Sequence, residues 1–171
     1  MDRDAIPSLG EACDRLASLL SARGLLLAVA ESCTGGLLAA SLTAIPGSSR
    51  WFEYGFVTYS ARAKRTVLGV PARDVDEEHI VSVETALAMA RGARALSGAD
   101  VALGITGIAG PTGGTPLKPV GTVAIAWVGA LHAASQCYHF GGNREAVRTQ
   151  AVLSAVTGLL ILLDRGFPAR P

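Results

Sequence analysis

Apolar side chains at Leu9, Ala12, Cys13, Leu16, Leu19 and Leu20 recur with helical spacing, which predicts a helix over Leu9 to Ala22 stopped at Gly24. The run Leu25 to Ala30 is continuously apolar and predicts a strand buried on both faces. A polar turn, Glu31-Ser32-Cys33-Thr34-Gly35-Gly36, separates it from a helix over Leu37 to Ile45 that Pro46-Gly47 ends. Trp51 to Tyr59 is rich in aromatic and β-branched residues and predicts a second strand. A short helix over Ala61 to Leu68 follows, closed by Gly69. Ser82 is placed to cap a helix to about Leu96, with Val83, Ala86, Leu87, Ala90 and Ala93 on one face. Asp100 to Ile105 predicts another buried strand, followed by a Gly/Pro-rich loop over Thr106 to Pro119. Gly121 to Val128 and Ala133 to Phe140 form a hairpin around Gly129-Ala130-Leu131-His132, and Asn143 caps a last helix to Leu163. Helices alternating with strands predict a single α/β domain over residues 1–171, with its core at about 9–163, built as a three-layer α/β/α sandwich with a mixed sheet. In such folds ligands gather beyond the carboxyl ends of the strands.

Composition narrows the partners. Of 171 residues, 50% are hydrophobic and 17% charged, and 15 Lys+Arg stand against 14 Asp+Glu. That balance offers no field for a nucleic acid, so no nucleic-acid partner is expected, although a few Arg and backbone amides suffice for one small anion. The most apolar run, Leu159 to Leu163, falls far short of the roughly 20 residues a bilayer requires, and no membrane partner is expected. The chain opens Met-Asp-Arg-Asp, without an apolar signal segment, and its three cysteines, Cys13, Cys33 and Cys137, form no CxxC pair. Both features suit the cytoplasm. His79, His132 and His139 are scattered and no Cys/His cluster exists, so neither a metal site nor a cofactor is expected.

Four segments carry candidate chemistry. Ser32 stands at the exit of a buried strand, just before a helix, where glycines allow backbone amides to approach an oxyanion. The same residues also suit a plain helix cap, with Ser32 or Thr34 as N-cap, and Cys33 is a rival nucleophile that lacks a histidine nearby. A hydroxyl nucleophile needs a base, and a lysine held neutral can serve. The chain has only two lysines, Lys64 and Lys118, and Lys64 follows the strand that ends at Tyr59, an end that can lie beside the Ser32 strand end. The alternative for Lys64 is a solvated helix position. Thr106 to Gly114 holds four glycines in nine residues, matches neither a P-loop nor GxGxxG, and is either an anion-facing loop or a plain mobile one. Gly141-Gly142-Asn143-Arg144-Glu145-Ala146-Val147-Arg148 puts two arginines at a helix start, able to clamp a phosphate; otherwise Arg144 is exposed and Arg148 pairs with Glu145 or Glu84.

Taken together, Ala30-Glu31-Ser32-Cys33-Thr34-Gly35-Gly36, Pro46-Gly47-Ser48-Ser49, Gly55-Phe56-Val57-Thr58-Tyr59-Ser60, Ala63-Lys64, Gly104 to Pro111, Lys118 to Val123 and Arg144 to Arg148 resemble the CinA C-terminal family, from about Leu9 to Leu163. The resemblance implies a metal-free amidohydrolase acting on a small nucleotide, nicotinamide mononucleotide, to give nicotinate mononucleotide and ammonia. It implies Ser32 as nucleophile, Lys64 as base and Tyr59 completing a Ser-Lys-Tyr site. It also implies an oxyanion region shaped by Thr34, Gly35 and Gly36, and a substrate pocket lined by Thr106, Gly107, Gly110, Gly113 and Gly114. Arg148 carries over as a phosphate contact. A homo-oligomer is expected. Two positions depart from the family pattern: Val83 stands where Glu is expected after Val81-Ser82, and Asn143 stands where many relatives carry Asp. Larger relatives carry a preceding nucleotide-pyrophosphatase domain; this chain begins just ahead of the amidase region, and that second activity is expected to be absent. Competing readings are an amidohydrolase for another carboxamide, and a catalytically silent nucleotide-binding module of DNA-uptake or repair machinery.

Overall fold

The computed structural model describes residues 7–76 and 78–167, so the polar opening Met1-Asp2-Arg3-Asp4, from which the absence of a leader was read, lies outside the described residues. Five strands form one mixed sheet: β1 (Leu27–Glu31), β2 (Phe52–Val57), β3 (Val101–Gly107), β4 (Thr122–Val128) and β5 (Ala133–His139). Their order across the sheet is β2-β1-β3-β4-β5. The first three are parallel, while β4 runs antiparallel to β3 and to β5. Five α-helices cover it: α1 (Leu9–Arg23), α2 (Leu37–Thr43), α3 (Ala61–Leu68), α4 (Val83–Ser97) and α5 (Arg144–Asp164). The expected three-layer sandwich is thus present, with element ends that coincide or shift by one or two residues. The shifts have local causes. Leu27 begins its strand only where its amide reaches the Trp51 carbonyl, and β3 runs on to Gly107 because it pairs with Val123.

The sheet has two unlike faces, and the period of two along each strand sets them apart. Leu27, Val29, Val101, Leu103, Ile105, Val123, Ile125 and Trp127 point to one side, where they form one core with α1, α2 and α5. Ala28, Ala30, Ala102, Ala124 and Ala126 point to the other, toward α4. Small side chains there let α4 lie close to the backbone of the sheet. At Gly104 the approach is closest: a Cβ would stand 2.2 Å from the Ala86 carbonyl oxygen and 2.9 Å from the Ala90 nitrogen, both on α4. On the large face α5 is long and apolar enough to cross a bilayer by length and composition. Its buried stripe, which includes Val147, Ala151, Ala155, Leu159 and Leu163, packs instead on the sheet and α1, and Trp127 Nε1 donates to the Ala155 carbonyl (2.9 Å).

Caps close the helices as local chemistry dictates. Ser8 and Glu11 form a reciprocal capping box at α1, and Ser60 and Ser82 accept from Ala63 and Thr85 amides at α3 and α4. Asn143 caps α5 by accepting from the Ala146 amide, a task that Asn and Asp perform about equally, so the departure at position 143 keeps the cap. Val83 opens α4 and packs against the small-residue core.

Gly104→Ala is expected to destabilise the protein by about 1–3 kcal/mol or more, the range for overpacking where backbone rather than a flexible side chain must yield. The midpoint of guanidinium unfolding measures it, and an unchanged midpoint would mean that α4 does not rest on the sheet at this point.

Candidate active site

The polar turn after β1 begins with two side chains sent to opposite sides. Glu31 has no exposed surface (0%), and its carboxylate accepts from the α2 amides of Gly36 (3.1 Å), Leu38 (3.1 Å) and Ala39 (2.8 Å). Gly36, at φ 92°, is the N-cap residue and offers no side-chain cap. The cap is therefore Glu31 from the neighbouring strand, and neither Ser32 nor Thr34 caps α2 as one reading of the sequence had it. The Gly36 amide is already occupied by Glu31, and the Gly35 amide donates to the Ser32 carbonyl (3.0 Å). The Cys33 and Thr34 amides have no acceptor on another described residue.

Ser32 continues the strand by donating its amide to the Ile105 carbonyl (3.0 Å), which turns its side chain toward α3. There Ser32 Oγ meets Lys64 Nζ at 2.8 Å. The same Nζ donates to the carbonyls of Thr58 (3.0 Å) and Tyr59 (3.2 Å), the two residues that lead from β2 into α3. Lys64 has no exposed surface (0%), and no ion pair among the described residues includes it. Burial therefore lowers its pKa from 10.5 to about 8, against a smaller opposite pull from Cys33. Burial pushes the Cys33 thiol the other way, up to about 12, which leaves it protonated and a poor nucleophile at neutral pH.

The pair opens into a cavity of about 250 Å³ whose lining includes Ser32, Cys33, Tyr59, Lys64, Thr106, Gly107, Gly110, Gly113 and Arg144. Ile80 and Val81 form a further wall. Thr106 secures that wall, since its hydroxyl donates to the Ile80 carbonyl (2.8 Å). Tyr59 faces the cavity, but its hydroxyl accepts from Arg144 Nη2 (2.8 Å), and it is its carbonyl that meets Lys64. Arg148 pairs with neither Glu145 nor Glu84. Its Nε and Nη2 donate to the Thr34 carbonyl (3.2 and 2.7 Å), outside the cavity lining. Thr34, Gly35, Gly36 and Gly114 likewise stand outside that lining. Glu31 was not among the site residues proposed from sequence, though an acidic residue directly after six apolar ones was a usable signal. Ile80 and Val81 carried none, because two apolar residues in a loop resemble many others.

Among the described residues no group of three or more His, Cys, Asp or Glu side chains is arranged to hold a metal ion. What the fold and site define is an α/β/α protein with a buried serine–lysine pair at the carboxyl ends of its parallel strands. The chain belongs to the CinA C-terminal domain family, whose model matches residues 11–163. It is 52% identical over 133 residues to the nicotinamide-nucleotide amidohydrolase PncC of Pseudomonas putida, covering 78% of this chain and 83% of that protein. It is 51% identical over 151 residues to a CinA-like protein of Geobacter metallireducens, covering 88% of this chain and 37% of that relative. The chain spans about a third of the length of several CinA-like relatives that it matches. The crystal structure of the competence damage-inducible protein A from Klebsiella pneumoniae subsp. pneumoniae superposes with a TM-score of 0.89 at 39% identity, over 92% of this chain and 98% of that one.

The lowered pKa of Lys64 has a consequence for stability. Unfolding restores a free lysine, which binds a proton that the folded protein releases above about pH 8. Between about pH 8 and 10.5 the unfolded state thus binds more protons, and the wild type gains stability as pH rises through that window. The difference in melting temperature between wild type and Lys64→Met should shift in favour of the wild type from pH 7.5 to 10. A difference independent of pH would show that Lys64 is solvated like any other lysine.

Proposed function

We propose that this protein hydrolyses the carboxamide of nicotinamide mononucleotide, releasing ammonia and nicotinate mononucleotide, with Ser32 as nucleophile and Lys64 as general base. The observation that carries the reading is the 2.8 Å contact between Ser32 Oγ and a lysine that is fully buried without an anionic partner. The likeness to a nicotinamide-nucleotide amidohydrolase over 83% of that protein supports the choice of substrate.

The chemistry follows from the valence of the amine. Neutral Lys64 has two N–H groups and one lone pair. The Thr58 and Tyr59 carbonyls accept the two N–H groups, and the lone pair is left for the Ser32 hydroxyl. Ser32 Oγ attacks the carboxamide carbon as its proton passes to Lys64. The Cys33 amide, on the residue after the nucleophile and without an acceptor on another described residue, is the backbone donor suited to the developing oxyanion. The C–N bond then breaks, Lys64 returns the proton to the leaving nitrogen, and ammonia departs. Water attacks the acyl-serine, again giving a proton to Lys64, which passes it back to Ser32 Oγ as the carboxylic acid leaves and ionises in water. One lysine thus serves as base and acid in turn, and its pKa near 8 suits both roles near neutral pH.

Ser32→Ala is expected to abolish ammonia release from nicotinamide mononucleotide, whereas Cys33→Ala retains most of it. Lys64→Arg should lower kcat by about 10²- to 10⁴-fold, since a guanidinium cannot accept the proton. An active Ser32→Ala protein would transfer the reaction to direct attack by water.

The pH profile provides a separate check. The base must be unprotonated, so kcat/KM should rise with pH through an apparent pKa of about 8 and then level off. A profile that is flat from pH 6.5 to 9 would remove Lys64 from the proton path.

A further inference from the structure

We propose that Tyr59 and Gly110 hold the Arg144 guanidinium at the wall of the Ser32 cavity as the receptor for the substrate's phosphate group, so that Tyr59 acts in substrate selection rather than in proton transfer. The inference rests on the nucleotide reading above and extends it to particular side chains. Arg144 is the first residue of α5 and lines the same cavity as Ser32 and Lys64. Its Nη1 donates to the Gly110 carbonyl (2.8 Å), in the loop after β3, and its Nη2 to the Tyr59 hydroxyl (2.8 Å), between β2 and α3. One guanidinium therefore ties together three separate parts of the chain around the reacting pair.

Both acceptors are neutral, and no ion pair among the described residues includes Arg144. Its charge is oriented but not neutralised. A guanidinium carries five N–H donors, so three remain after these two bonds, in the fixed fork that suits a phosphate. On its far side a hollow of about 490 Å³ is lined by Leu37, Asn143, Arg144, Glu145, Arg148 and Thr149, so there is open space beside the cavity for a group that projects from the bound carboxamide. The reacting carboxamide is uncharged, which leaves the phosphate as the group that needs this cation.

Tyr59 fits the supporting role better than a proton-carrying one. Its hydroxyl accepts from Arg144, while Lys64 is served by the Tyr59 main-chain carbonyl, which any residue at this position would supply. Removing the phenol oxygen should leave the Ser32–Lys64 pair in place and release Arg144.

The test compares nicotinamide mononucleotide with nicotinamide riboside, which lacks only the phosphate, in the full-length wild type, Arg144→Gln and Tyr59→Phe. Steady-state ammonia release gives the ratio of the two kcat/KM values. Calorimetric binding of both compounds in a Ser32→Ala background gives the same ratio without turnover. The ratio should fall about ten- to a hundredfold in Arg144→Gln, the range for a charged hydrogen bond. It should fall by a smaller factor in Tyr59→Phe, through KM for the nucleotide, with the pH profile unmoved. A ratio unchanged in Arg144→Gln in both assays would overturn the assignment. So would a Tyr59→Phe protein that loses kcat on both compounds alike or shifts its pH profile. A wild type that binds the nucleotide through Arg144 but releases no ammonia would refute the hydrolase reading and leave the phosphate receptor standing.

Discussion

An amine taken out of water without a companion anion is under pressure to give up its proton, because desolvation penalises the ammonium far more than the neutral form. Lys64 is held in that condition, and the surrounding structure can be understood from what is needed to keep it there. Among the described residues its nitrogen reaches only a hydroxyl and two main-chain carbonyls. A carboxylate at the same distance would have stabilised the protonated lysine and removed its basicity. The acidic side chain closest in sequence to Ser32 is Glu31, and its oxygens are already engaged by the Gly36 cap amide and two amides of α2.

That separation of Glu31 from Lys64 is a property of the strand. Adjacent residues on an extended chain face opposite ways. One residue at the end of β1 turns to the layer that contains α2, and the next turns to the layer that contains α3. The same alternation makes one face of the sheet large and apolar and the other nearly all alanine and glycine. The alanine face allows α4 to lie on the sheet, and α3 then packs beside α4. The carboxylate that fastens the turn and the lysine that meets the serine hydroxyl are thus next to the same residue without being next to each other.

Much of this could be read from the chain, and the portions that could not have a common cause. Helices with a clear stripe and a local cap, such as α1, α3 and α4, were legible because their signals lie within a few residues. The Ser32 turn was legible as a strand–turn–helix, and Lys64 stood out through the scarcity of lysine. The plain-cap reading offered Ser32 or Thr34 for α2 and missed Glu31, because the cap comes from a strand residue that only the turn brings back. The resemblance favours Arg148 as the phosphate contact, and local spacing gave no means of weighing Arg144 against it, for a similar reason. They are one helical turn apart on α5, and their different partners lie more than thirty positions away in the chain. The sequence offers Arg148 as a phosphate contact or as a partner of Glu145 or Glu84, and in the structure a backbone carbonyl contributed by the Ser32 turn takes the place of either pairing.

On the proposed reading, the two arginines illustrate how a chain with nearly balanced charge could select an anion. Overall potential contributes little, so such selection would depend on a cation whose charge is left uncancelled beside the Ser32 cavity. Arg148 has its guanidinium directed at the Thr34 carbonyl, where it steadies the turn that carries Ser32. Arg144 has its guanidinium held by a carbonyl and a phenol, both of which fix a direction without supplying negative charge. A lysine at position 144 would present a single rotating ammonium, and it could not satisfy two such acceptors and still offer a planar edge to a phosphate. An aspartate or glutamate in place of either acceptor would fix the same direction and cancel the charge. Neutral acceptors and a rigid fork are therefore the combination that both orients the cation and leaves it free to bind.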